Sequence, residues 1–350
     1  MSELMQALNA KAARLRIPLG VHLDVTYRCN ERCVHCYLDH DGDGEMAYEE
    51  IVDLLEQMAA AGVLFLTISG GEPLLRKEIF DIVRRARQLT FNVKLKTNAI
   101  LIREREAALL RALDVEKVQV SIYSHRPEVH DAITNVPGSL ERSLAAIRFL
   151  IAQGMRVIVA NVLMRQNWAD YPRVQDLARE LGAEFSIDPT ITPHINGARS
   201  LLRLNIPTPA LRQVMHDSAI LGEVGKDPVL GDASKPALAA DDDDFLAELP
   251  CSAGHSFCYV SPFGDLYPCV QFPLLSGNVR REKFVDIWRQ SPQLEEVRSI
   301  RVPDLPVCAP CAHVSTCSRC PGLAYMEGNM RGPSTADCEK SLARSDPPPP

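Results

Sequence analysis

Three cysteines lie within eight residues, Cys29-Asn-Glu-Arg-Cys33-Val-His-Cys36, directly after the apolar run 21–26. Three thiolates at this spacing can ligate three irons of a four-iron cluster and leave the fourth iron open to a small molecule. The alternatives are a zinc loop or three separate structural thiols. A zinc knuckle needs a fourth close donor. His35 is the neighbouring candidate, and its place directly before Cys36 makes shared tetrahedral ligation awkward. Eight further cysteines, Cys251, Cys258, Cys269, Cys308, Cys311, Cys317, Cys320 and Cys338, occupy the last hundred residues, with none between 37 and 250. Eight thiols supply two complete four-ligand sites. Their Cys-x2-Cys spacings suit zinc as well as iron–sulfur.

The elements that must position these thiols read as alternating strands and helices. Short apolar, β-branched runs at 21–26, 64–69, 92–97, 117–123, 156–164 and 184–190 predict strands. Helical patterns at 47–61, 77–89, 102–113, 140–153 and 171–181 fall between them, and Gly62, Gly154 and Gly182 stand where helix-terminating glycines belong. Six such units in series imply a parallel α/β sheet with right-handed crossovers. Loops after the carboxyl ends of parallel strands build the site, and the three-cysteine loop follows strand one. Strand two ends in Gly70-Gly71-Glu72-Pro73, a tight turn with a fixed anion that allows close backbone approach by a ligand. Strand three ends in Lys96-Thr97-Asn98, and strand four carries Ser121 and Tyr123. Asn161 and Asp188 are candidates to face the cavity, whereas His125 and His130 read as structural or surface histidines. A hairpin at 257–260 and 266–270, then helices at 283–290 and 292–299, precede the last cysteine cluster. Residues 222–250 read as an acidic linker, including the run of four acids at 241–244, and 341–350 as a proline-rich tail.

Cys-x3-Cys-x2-Cys after a first strand resembles the signature of the radical S-adenosylmethionine (radical SAM) superfamily. The resemblance implies a partial (β/α)6 TIM-like barrel at 21–221, after an amphipathic segment at 1–20. It implies that the open iron chelates S-adenosylmethionine, whose one-electron cleavage gives a 5′-deoxyadenosyl radical. His35 then packs on the adenine, and Gly70, Gly71 and Glu72 match the segment that holds the methionine amino group. Thr97, Asn98, Ser121 and Asn161 become further cofactor contacts. Thr134 stands where many relatives place an arginine. The region 251–340 resembles the SPASM domain, a small cysteine-rich α+β unit with two auxiliary [4Fe–4S] clusters. The resemblance interleaves them: Cys251, Cys258, Cys269 and Cys320 for one, Cys308, Cys311, Cys317 and Cys338 for the other. Cys317 and Cys320 are two residues apart where the family has three. Without Cys320, the first auxiliary cluster would have an open iron able to bind substrate.

With 350 residues and 46% hydrophobic content the chain can bury a substantial core. A net charge of −7 argues against nonspecific nucleic-acid or membrane-surface binding, and no apolar run is long enough to span a bilayer. Eleven cysteines without a signal-peptide pattern point to a reducing, cytoplasmic setting and to metal rather than disulfides. The resemblance implies an enzyme with three [4Fe–4S] clusters and S-adenosylmethionine, reduced by an external flavodoxin- or ferredoxin-type donor. Its substrate is expected to be a ribosomally made precursor peptide or a protein. Only twenty residues precede strand one, so leader recognition is expected from a separate protein or from the precursor's own contacts. Small-molecule cofactor synthesis, on a tetrapyrrole or quinone precursor, is the second enzymatic expectation. A zinc-binding or electron-transfer interaction protein is the non-enzymatic one.

Overall fold

The computed structural model describes residues 3–220, 248–314 and 317–345. An N-terminal helix, α1 (Glu3–Arg14), precedes six parallel strands: β1 (Gly20–Asp24), β2 (Phe65–Ser69), β3 (Asn92–Thr97), β4 (Lys117–Ser121), β5 (Arg156–Val162) and β6 (Glu184–Asp188). The connections carry α2 (Tyr48–Ala60), α3 (Ile79–Gln88), α4 (Glu104–Ala112), α5 (Pro127–Thr134), α6 (Ser139–Ala152) and α7 (Tyr171–Leu181), and α8 (Thr208–Met215) follows β6. This is the parallel sheet the alternation predicts, in the partial-barrel form the resemblance implies. Gly62, Gly154 and Gly182 each have positive φ after α2, α6 and α7. Within the barrel region, two helices after β4 were not anticipated. α5 is a short helix opened by Pro127, and α8 comes after the last β/α repeat, where the periodic pattern has ended.

Strand alternation gives the barrel its two faces. Val21, Leu23, Leu66, Ile68, Val93, Leu95, Val118 and Val120 are fully buried against the helices. The other side of the same strands presents His22, Asp24, Thr67, Lys96, Gln119 and Ser121.

The C-terminal region continues this sheet. β7 (Phe257–Val260) pairs in parallel with β1, Gly20 opposite Phe257 and Leu23 opposite Val260. β8 (Asp265–Tyr267) and β9 (Gly277–Asn278) follow antiparallel, giving the order β6-β5-β4-β3-β2-β1-β7-β8-β9. The expected hairpin is present, but its first strand is also the next strand of the barrel. The main hydrophobic core runs across the join, taking in Cys258, Val260, Leu266 and Leu294 with Phe284, Ile287 and Trp288. Those residues sit on and beside α9 (Phe284–Gln290) and α10 (Pro292–Arg298). α11 (Pro321–Met326) and α12 (Thr335–Ser345) complete the described chain. α12 replaces the tail expected from 341: residues 341–345 are helical, with Ser341 and Ala343 buried. The linker assigned to 222–250 lies outside the described residues as far as 247, as do residues 346–350 with their four prolines.

Candidate active site

The three-cysteine loop leaves the carboxyl end of β1 and is clamped by its neighbour. Val25 donates its N–H to Ser69 O at 3.0 Å, prolonging the β1–β2 pairing. Gly71 N–H donates to Thr26 O at 2.8 Å and Glu72 N–H to Arg28 O at 2.9 Å. A Cβ on Gly70 would lie 2.1 Å from Thr26 O, and one on Gly71 2.4 Å from Arg28 O. The glycine pair therefore serves a close approach, and the backbone approached is that of the cysteine loop. Buried Arg76 locks the entry, donating to Val25 O at 2.8 Å and Met46 O at 2.7 Å. The far side of the loop rests on α5: Arg32 and Val34 donate N–H groups to Thr134 O and Ile133 O. Thr134 is a backbone brace, and its hydroxyl bonds Ser139 Oγ at 2.8 Å.

Glu72 is fully buried beneath this loop. Its oxygens accept from Thr97 Oγ1 at 2.8 and 2.9 Å, Asn98 N at 2.8 Å and Leu74 N at 3.0 Å. Burial pushes its carboxyl up to about 7 despite those donors. Asn98 Nδ2 donates to Asn30 Oδ1 at 2.7 Å and lies 3.9 Å from Cys29 Sγ. Glu72, Thr97 and Asn98 thus converge on the start of the cysteine loop. On its other side, the His35 ring meets Tyr123 edge-on at 4.8 Å. The Tyr123 hydroxyl lies 4.0 Å from Cys33 Sγ, and Ser121 is hydrogen-bonded to Tyr123. His130 is structural, as expected: its Nδ1 accepts from Tyr123 N at 3.1 Å. Asn161 is placed elsewhere. It shares the helix-facing side of β5 with Val157 and Val159 and donates to Ile122 O at 2.6 Å. The cavity-facing orientation expected for it is corrected by one residue of strand register. Asp188 lies on the barrel side of β6 and caps Thr190 N at 2.8 Å.

Burial raises all three thiols, Cys29 to about 12, so without a metal they keep their protons. A metal displaces those protons when it binds. Several atoms buried around the loop have no hydrogen-bond partner, among them His35 Nδ1, Asn30 Nδ2 and Glu31 Oε1. Three soft donors beside unsatisfied polar atoms fit an iron–sulfur cluster with a further ligand. Among the described residues, no three Cys, His, Asp or Glu side chains converge tightly enough to hold a single metal ion.

A buried polar chain, absent from the sequence expectations, ties this loop to the C-terminal region. Tyr27 Oη lies 2.6 Å from Tyr259 Oη, Tyr259 Oη donates to Asp24 Oδ2 at 2.9 Å, and Asp24 Oδ1 bonds His22 Nε2 at 3.0 Å. Tyr27 precedes Cys29 by two residues and Tyr259 follows Cys258. Two hundred and thirty-two residues separate the tyrosines, so only the alternation at His22 and Asp24 hinted at inward polar groups.

The eight C-terminal thiols fall into two neighbourhoods. Burial raises Cys251, with Cys320 and Cys269 close enough to add to the effect, and Cys258 likewise feels Cys269. Cys317 is raised to about 11 by burial, then by Asp337 and its neighbours Cys338 and Cys308; Cys338 feels Cys308 and Cys311. The neighbours so named are Cys251, Cys258, Cys269 and Cys320 in one group and Cys308, Cys311, Cys317 and Cys338 in the other. Arg298, 6% exposed, secures the first: Nε and Nη2 donate to Gly254 O and Trp288 O at 2.7 Å, and the guanidinium lies 4.7 Å from the Trp288 ring. Gly254 lies inside the loop between Cys251 and Cys258.

Comparison with known proteins agrees with this geometry. Residues 23–178 match the family model of the Radical SAM superfamily, and residues 251–321 match SPASM, an iron–sulfur cluster-binding domain. The chain carries a Radical SAM domain followed by a SPASM domain. It is a radical SAM enzyme with a C-terminal SPASM domain, and iron–sulfur and S-adenosylmethionine are its cofactors. This radical SAM protein is 28% identical over 334 residues to the AdoMet-dependent heme synthase of Methanosarcina barkeri, covering 89% of the chain and 94% of that relative. It is 29% identical over 312 residues to the mycofactocin maturase MftC of Mycobacterium tuberculosis, covering 87% and 78%. Its fold matches Streptococcus suis SuiB bound to S-adenosylmethionine with a TM-score of 0.72 at 17% identity, over 96% and 78% of the two chains. It also matches anSMEcpe bound to AdoMet with a TM-score of 0.70 at 15% identity, over 93% and 96%. No helix among the described residues is long and apolar enough to cross a membrane.

Proposed function

We propose that this enzyme modifies a ribosomally made peptide or protein after translation. One observation carries the reading: a three-thiol loop is clamped onto a Gly-Gly-Glu turn at one end of a sheet that continues into a C-terminal region carrying eight more thiols. Three clusters follow, one at Cys29, Cys33 and Cys36 and two at the interleaved C-terminal sets. When bound, the first cluster and S-adenosylmethionine supply a carbon-centred radical that removes a substrate hydrogen. The chain's residues bind and shield. Gly70, Gly71 and Glu72 with Thr97 and Asn98 bound one side of the cofactor, and His35 with Ser121 bounds the other. The barrel interior between β1 and β6 takes the reacting part of the substrate and excludes water. A low-potential flavodoxin or ferredoxin supplies the electron, a separate protein presents the peptide's leader, and the enzyme works in the cytoplasm. A likeness to MftC, named as a mycofactocin maturase, supports a peptide-derived substrate.

A second reading has its own support: the chain covers 94% of the M. barkeri heme synthase, which favours a tetrapyrrole substrate. Anaerobic reconstitution with iron and sulfide tests the common part. Roughly twelve irons per chain and release of 5′-deoxyadenosine on reduction with S-adenosylmethionine are expected; zinc without iron overturns it. Mass spectrometry then separates the readings. A mass change in the peptide encoded beside this gene supports the first. Turnover of an iron-bound tetrapyrrole with no change in any peptide supports the second.

A further inference from the structure

Asp337 lies where the two C-terminal thiol sets meet. It is 2% exposed, on the first turn of α12, and immediately precedes Cys338 of the second set. Its Oδ2 accepts from the backbone N–H of Cys320, in the first set, at 2.8 Å and from Ser334 Oγ at 2.8 Å. Its Oδ1 pairs with Lys340 Nζ at 2.8 Å, one turn along the same helix. Ser334 in turn bonds Asp337 N at 3.2 Å and fixes the start of α12. One carboxylate therefore grips the backbone of a thiol residue in one set from the helix that carries a thiol of the other.

Cys320 is also where the chain departs from its family. With two residues after Cys317 instead of three, the backbone between them is a residue short, yet Cys320 stands beside Cys251 and Cys269. It occupies the N-cap position of α11, where a backbone N–H has no partner within the helix and no side-chain cap is present. Asp337 supplies that partner, in a buried setting where a charge-assisted hydrogen bond is strong.

We propose that Asp337 is a positioning residue that offsets the short Cys317–Cys320 spacing and makes the two auxiliary sites assemble together. It holds Cys320 so that its thiol completes the first set, and it does so from α12, the helix that also carries Cys338 of the second. The inference rests on the two-cluster reading of the C-terminal region.

The test compares Asp337→Ala, Asp337→Asn, Cys320→Ser and Cys338→Ser with the parent chain. Each is reconstituted anaerobically and read by iron and sulfide content and by electron paramagnetic resonance after dithionite reduction. A parent that holds only the four irons of the first loop would refute the two-cluster reading itself. With that reading intact, Asp337→Ala is expected to reproduce the altered first-site spectrum of Cys320→Ser and to lose about a third of the parent's iron. Asp337→Asn keeps an acceptor oxygen and is expected to retain most of that iron, which tests the role should the alanine variant fail to fold. Cys338→Ser should disturb the spectra of both sites. Parent-like iron and spectra in Asp337→Ala, or a change confined to the second site, would overturn the proposal.

Discussion

The two cysteine regions are built by opposite means. The loop at Cys29, Cys33 and Cys36 is held largely by backbone against backbone, from Gly71 and Glu72 on one side and Thr134 and Ile133 on the other, with the buried Arg76 side chain at its entry. The C-terminal sets are held by buried side chains reaching for backbone: Arg298 to Gly254 O, Arg319 to Gly332 O at 2.7 Å, and Asp337 to Cys320 N. A loop that must admit a cofactor keeps its side chains for that cofactor and takes its shape from neighbouring strands. The thiol-bearing loops of the C-terminal region use charged side chains as struts. The contrast implies that the shape of the first loop is more sensitive to lost backbone space, and that of the C-terminal sets to lost supporting side chains.

The largest effect that would sharpen the contrast comes from removing the thiols themselves. Replacing Cys29, Cys33 and Cys36 together by alanine should reduce 5′-deoxyadenosine release to background while about two thirds of the iron stays bound. Loss of all iron would show that the two regions do not load independently. Next, Arg298→Ala should destabilise the protein by about 3 kcal/mol, since it strips two buried carbonyls of a charged donor and opens space over Trp288. A shift of the thermal midpoint and loss of auxiliary iron with S-adenosylmethionine cleavage intact would check it. Gly71→Ala should cost about 2 kcal/mol by forcing the two loops apart. Here the expected signature is lost cofactor cleavage with auxiliary iron retained, and an unchanged enzyme would break the backbone-clamp account.

The smallest effect concerns acid. Burial pulls His130 down to about 4, below the usual histidine value near 6.5. Between those values the unfolded chain holds the extra proton. The stability His130 contributes is therefore intact above about pH 6.5 and falls toward pH 4, by up to about 1.4 kcal/mol per pH unit. The stability difference between the parent and His130→Asn, from urea melts, should be larger at pH 7 than at pH 5. A difference independent of pH would mean that the ring is not held neutral beside Tyr123. Glu72, raised to about 7, acts with the opposite sign, and comparing the two proteins cancels it.

Local features were legible in the sequence and long-range ones were not. Val93 and Leu95 alternate with Lys94 and Lys96, so β3 and its ends could be read from period two alone. The cysteines declared themselves by spacing, and Glu72, Thr97 and Asn98 by standing at strand ends. Their actual partners could not be read: Thr97 and Asn98 bond Glu72, and Gly70 and Gly71 press on Thr26 and Arg28. Asn161 was misplaced because a polar residue near a strand end reads as site-facing, whereas its parity with Val159 turns it to the helices. α12 was hidden by the prolines that follow it. The meeting of Tyr27 with Tyr259 depends on a strand pairing between distant segments, which no local pattern encodes.

That strand pairing also decides what can be cut. β1 is the first strand of the barrel in sequence but not its boundary in space, because β7 covers its outer side from Gly20 to Leu23. A protein ended before residue 251 would expose a row of unpaired amides and carbonyls along an apolar strand, the kind of free edge that recruits other chains. The cysteine-rich region is thus a lid on that edge as well as a holder of thiols. Trimming or exchanging it at the apparent domain boundary should yield an aggregating barrel rather than a smaller enzyme.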